Sequence, residues 1–125
     1  MVSGFELSTK GETINYAGSR FNDGVGGQIV NYDRNGTLGI LSPAASQKLI
    51  NHSPDGFNWG YSGSGPAQLA LGLLLDATHD PATAMRYYQD FKFDIVSGWG
   101  ENWSITATEI LDWLTKRKSE VNHGK

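Results

Sequence analysis

A chain of 125 residues, 38% hydrophobic and 18% charged, is long enough for one compact core and too rich in apolar residues to stay disordered. Its net charge of −3 disfavours generic binding to a nucleic-acid phosphate backbone. The absence of cysteine removes disulfides, thiol catalysis and thiolate metal sites, and it fits a reducing cytoplasm.

No apolar run is long enough to span a bilayer, and the N-terminus lacks the charged-then-apolar order of a secretory signal. A cytoplasmic protein with no membrane partner is expected. No linker divides the chain, so residues 1–125 are read as a single α+β domain, strand-rich over 1–41 and helical over 42–120.

Phe5, Leu7, Ile14 and Tyr16 alternate around Lys10-Gly11 and predict a hairpin. Asn22-Asp23-Gly24 and Gly26-Gly27 mark a loop. Residues 28–32 and 37–41 flank Asp33-Arg34-Asn35-Gly36, and Asn-Gly between β-prone runs predicts a second hairpin, because both residues tolerate positive φ. Three or four antiparallel strands follow from this.

Four helices are predicted after them. Ser42-Pro43 opens a short one to about Ile50. Gly65-Pro66 opens the second, 66–77, whose leucines cover most of its circumference and make it the central buried helix. Asp80-Pro81 opens the third, to about Phe93 or Val96. The last starts at Thr106, where Thr106 and Glu109 form a capping box and Ile105 and Ile110 a hydrophobic staple. Lys116, Arg117 and Lys118 suit the negative end of its dipole, and residues 120–125 are expected to fray.

The densest motif lies at residues 57–68. Phe57, Trp59 and Tyr61 alternate, so an extended backbone would point them one way, as a stacking platform or as a cover for the buried helix. A glycine-serine loop, Ser62-Gly63-Ser64-Gly65, then precedes a helix start, where free N–H groups meet the positive end of the dipole. It is either a tight turn or an anion-holding loop.

Known motifs are excluded. Gly60 and Gly65 have P-loop spacing, but Pro66 and Ala67 replace the lysine and hydroxyl residue that motif needs. The dinucleotide fingerprint and the nucleophile elbow both fail on glycine spacing.

The candidate ligand-binding residues are therefore Trp59, Tyr61, Ser62, Gly63, Ser64, Gly65 and Gln68. Gln68 either faces the loop or caps the N–H of Gly65. No catalytic group is assigned. His52, in the exit turn Asn51-His52-Ser53-Pro54, is the side chain that could act as a general base. Asp76, His79 and Asp80 lie close together but Asp80 is accounted for as an N-cap, and neither His79 nor His123 has a partner at a recognised metal-ligand spacing. No metal and no cofactor is implied. Trp99 and Trp103 sit in a glycine-rich loop with the same ambiguity as the first aromatics.

Asn51-His52-Ser53-Pro54, Gly56-Phe57, Trp59-Gly60-Tyr61 and Gly63-Ser64-Gly65-Pro66-Ala67-Gln68-Leu69-Ala70-Leu71 together resemble the signature of an uncharacterised prokaryotic family, the domain of unknown function numbered 6166. The resemblance runs from Tyr16-Ala17-Gly18-Ser19-Arg20 through Tyr88, Phe91-Lys92 and Trp103 to Glu109-Ile110. Ser62, where that family has glycine, and the glycine-rich insertion at residues 24–27 depart from it. Members in bacteria, archaea and phages imply a prokaryotic or phage source.

The residues point first to a non-enzymatic module binding a small anionic or nucleotide-like ligand at Trp59–Gln68. The alternative is a protein–protein interaction module, such as a phage-borne regulator or inhibitor of host machinery. A hydrolase using His52 with Ser62 or Ser64 ranks third, since no third group for a triad is apparent.

Overall fold

The computed structural model describes residues 13–123. They form an α+β fold with a four-stranded antiparallel sheet: β1 (Ile14–Ser19), β2 (Val30–Arg34), β3 (Thr37–Ile40) and β4 (Asn102–Thr106), in the order β3-β2-β1-β4. Four α-helices lie on the sequence between and after them: α1 (Ala44–Leu49), α2 (Ser64–Thr78), α3 (Pro81–Asp94) and α4 (Ala107–His123).

The β2–β3 hairpin turns on Asn35 (φ 53°) and Gly36 (φ 92°), the two consecutive positive φ values that a two-residue turn matching strand twist requires. Asp33 Oδ1 accepts the Gly36 N–H at 2.9 Å. The hairpin expected around Lys10-Gly11 has its first arm outside the described residues. Its second arm, with Ile14 and Tyr16, is β1, which takes β2 and β4 as its two neighbours.

β4 corrects the reading of the helical part of the chain, where the segment around Trp103 is expected to be a glycine-rich loop. Asn102-Trp103-Ser104-Ile105-Thr106 alternates polar and apolar side chains, and it pairs with β1 from Asn15↔Thr106 to Ser19↔Asn102. Thr106 ends this strand and caps the helix after it. Its Oγ1 accepts the Glu109 N–H at 3.0 Å, and Glu109 Oε1 accepts the Thr106 N–H at 2.9 Å.

The other helix starts shift by a residue or two. Pro43 is the N-cap of α1, with Ser42 Oγ accepting from the Ala44 N–H at 3.1 Å. Gly63 is the N-cap of α2, so Pro66 sits at the third helical position, still inside the turn that needs no donor. Asp80 caps α3 with its side chain. Helix α4 runs past the basic cluster, leaving Arg117 within the helix and paired with Asp90 at 3.0 Å and Glu120 at 3.5 Å.

One sheet face, bearing Ile14, Tyr16 and Val30, packs on the helices. Helix α2 is the centre of the core: Leu69, Leu71, Leu73 and Leu74 are all fully buried. Asp76 ties its C-terminal part to the sheet, accepting the Tyr16 hydroxyl at 2.6 Å and pairing with Arg34 at 3.1 Å. Among the described residues no helix is long and apolar enough to cross a membrane.

Candidate functional site

The alternation of Phe57, Trp59 and Tyr61 breaks at Gly60. Its φ of +86° turns the chain, and a Cβ there would lie 2.7 Å from Arg20 Nη2 and 2.9 Å from the Trp99 carbonyl oxygen. Phe57 and Trp59 therefore enter the core, whereas Tyr61 is 48% exposed. The shared-face stacking platform does not form.

Trp59 is instead the hub of an aromatic cluster. Its Nε1 donates to the Gly100 carbonyl at 2.8 Å, and it meets Trp103 edge-on at a 5.4 Å centroid distance. Trp99 stacks on Trp103 at 4.0 Å. Gly18 makes room for them, since a Cβ there would come within 2.7 Å of Trp103 Nε1 and 2.8 Å of Trp59 Cη2. Arg20 closes the cluster from outside. Its guanidinium lies 5.2 Å from the Trp59 ring and donates to Asn58 Oδ1 at 2.8 Å and to the Trp59 carbonyl at 2.9 Å.

Gln68 is also removed from the ligand list. It is fully buried, and its carboxamide makes four hydrogen bonds. The Oε1 accepts from the N–H groups of His52 (2.8 Å) and Ser53 (3.0 Å), and the Nε2 donates to Ser46 Oγ and the Ile50 carbonyl, both at 3.0 Å. It neither caps Gly65 nor faces the loop. It pins the exit of α1 to the second turn of α2.

Three of the remaining loop residues meet at a polar recess of about 160 Å³. Tyr61, Ser64 and Gly65 line it, with Gly27, Ser53 and Asp55 facing them. Gly63 stands at the N-cap of α2 in an extended conformation (φ −162°) and provides no side-chain cap. Among the described residues, no acceptor meets the N–H groups of Ser64 and Gly65, which point along the positive end of the α2 dipole.

The φ of Gly63 suits any residue, but a Cβ there would lie 2.7 Å from the Tyr61 ring, which folds back over the helix start and would have to shift. Its hydroxyl would lie 3.1 Å from a Cβ at Gly65. Ser62 is exposed and outside the lining.

The far wall is what the sequence did not announce. A Cβ at Gly27 would overlap the Asp55 carbonyl oxygen, so the glycine insertion at residues 24–27 lies directly against the segment before Phe57. Asn58 holds the two together, donating to the carbonyls of Gly24 (3.1 Å) and Gly26 (3.4 Å). Glycine pairs in the sequence signalled a loop; only the fold shows which backbone it touches.

His52 does not meet Ser62 or Ser64 in any hydrogen bond among the described residues. Its Nε2 lies 2.7 Å from the Tyr88 hydroxyl. Asp76 is occupied by Tyr16 and Arg34. His79 is the left-handed C-cap residue of α2 at φ 57°. Hydrogen bonds from Thr83 and the Ala82 N–H hold the Asp80 carboxyl below its ordinary value. These residues are tied into the fold separately rather than converging on a centre.

A larger groove of about 460 Å³ runs between the end of α2 and α4, past Thr78, Thr108, Asp112 and Lys118. The hydroxyls of Thr78 and Thr115 on it are spent on the carbonyls of Leu74 and Leu111, and that of Thr83 on the Asp80 carboxylate beside it.

No curated protein and no solved structure matches the chain. One family does match, over residues 16–116, a span that includes most of β1, the aromatic cluster, the recess and most of α4. The chain belongs to the Family of unknown function (DUF6166).

Proposed function

We propose that this protein is a non-enzymatic binding module that takes a small anion, or the anionic end of a nucleotide-like ligand, in the recess at the start of α2. The supporting observation is the pair of uncapped N–H groups of Ser64 and Gly65 at the head of a 15-residue helix. The hydroxyl-bearing side chains of Ser53, Ser64 and Tyr61 stand around them.

At about 160 Å³ the recess is smaller than the about 300–1,000 Å³ of pockets that enclose a drug-sized ligand. It suits a phosphate, sulfate or carboxylate group, with the rest of the ligand outside against the exposed Tyr61 ring. Asp55 on the facing wall adds an acceptor, so a ligand that uses every group carries a donor beside its anionic end. The hydrolase reading finds no support in the geometry, because His52 is turned to Tyr88. The setting proposed is a prokaryotic or phage protein acting in a reducing cytoplasm.

Titration with inorganic phosphate tests this by amide chemical shifts. Shifts concentrated at Ser64, Gly65 and Ala67, lost in Gly63→Val, are expected, since the new side chain displaces Tyr61 across the helix start. Shifts scattered over the surface, or equal in the variant, would overturn the reading. A protein-partner reading draws on another surface, the exposed strand β3.

A further inference from the structure

Among the described residues strand β3 is an open edge of the sheet, and its chemistry is unusual for one. Edge strands are ordinarily protected by charge, proline or a covering element. β3 reads Thr37-Leu38-Gly39-Ile40, uncharged throughout. Leu38 is 78% and Ile40 62% exposed, on the sheet face away from the helices.

The register fixes which backbone groups are free. The Leu41 N–H donates to the Val30 carbonyl at 2.8 Å, so residues 41, 39 and 37 face β2. By the alternation of an antiparallel ladder, the N–H and C=O groups of Leu38 and Ile40 point away from it. Among the described residues nothing meets them.

We infer that β3 pairs with β3 of a second copy of this chain, antiparallel about a two-fold axis at Gly39. The free groups lie symmetrically one residue to either side of Gly39, so such an axis places Leu38 opposite Ile40 of the second copy and Ile40 opposite its Leu38. Both become hydrogen-bonded pairs and all four backbone groups of each strand are satisfied.

Gly39 meets itself at the centre, where the Tyr32 ring of each copy already covers its helix-facing side, since a Cβ there would overlap that ring. The same pairing sets Leu38 against the other copy's Ile40 on the exposed face, an apolar cross-strand contact. No charge opposes a like charge, because Asp33, the carboxylate next to Leu38, falls in line with Asn31 of the second copy. Four residues a side bury less than the about 1,000 Å² of a lasting interface, so the dimer forms and dissolves with concentration.

Amide hydrogen exchange measured from about 10 µM to about 1 mM reads the pairing residue by residue. Protection of the Leu38 and Ile40 amides should rise about tenfold or more over that range. That of Gly39, already bonded to β2, stays level. Leu38→Lys, at a solvent-exposed position, should keep the fold, remove the rise and sediment as a monomer throughout. Unprotected Leu38 and Ile40 amides at every concentration would overturn the inference. So would protection independent of concentration, which would place an acceptor from the same chain on the edge.

Discussion

The carboxamide oxygen of Gln68 lies 2.8 Å from the backbone nitrogen of His52, sixteen positions earlier in the chain. A side chain on the second turn of the central helix thus completes the hydrogen bonding of a loop. We predict that Gln68→Leu, close in volume, costs at least about 3 kcal/mol, because several buried polar groups lose their partner together. A shift in urea midpoint worth less than about 1 kcal/mol would show that the loop rearranges freely.

Leu71 is fully buried in α2. Leu71→Ala should cost about 2–5 kcal/mol, the range for a leucine truncated in a core that relaxes only in part. Equilibrium unfolding in denaturant measures it directly. A loss under about 1 kcal/mol would mean that α2 is not the packing centre.

Thr106 serves two elements, the last residue of β4 and the cap of α4. Thr106→Ala should cost about 1 kcal/mol through the lost side-chain cap, while the backbone pairing Asn15↔Thr106 stays. Thr106→Ser should recover most of it. Equal stability of the alanine variant and the parent would remove the cap from the account.

Asp80 carries a pH dependence whose sign is fixed. Its hydrogen bonds from Thr83 and the Ala82 N–H lower its folded-state pKa below the ordinary carboxylate value. The contribution to α3 is therefore present above the unfolded pKa and is lost as pH falls through the folded one. The stability difference between the parent and Asp80→Asn should accordingly shrink on acidification toward pH values at and below the usual carboxylate range. A difference that grows on acidification would contradict the assignment.

Much of this fold was legible where signals are local. The Asn35-Gly36 turn, the Asp80 cap, the Thr106–Glu109 box and the all-round apolar α2 each depend on residues within a few positions of one another, and each stands where expected. β4 was not legible. Five residues of alternation are too short to outweigh the helical signals on both sides, and a strand's identity rests on its partner, here about ninety positions away.

The site divides the same way. The uncapped start of α2 could be read from Gly63-Ser64-Gly65. That Gly60 would turn Tyr61 outward while Trp59 went in was hidden, because alternation presumes an unbroken extended backbone. Gln68 read as a loop residue, since four partners from residues 46–53 leave no trace at position 68.

The position of β4 also bears on how the protein is made. β1 leaves the ribosome early, but the strand that fills its second edge is translated some ninety residues later. Throughout that interval β1 shows an open row of backbone donors and acceptors, and Trp59 lacks the Gly100 carbonyl and the Trp103 ring that enclose it. The nascent chain thus passes through a state with a sticky edge and an unsealed tryptophan, the kind of species that chaperones hold and that aggregates when crowded.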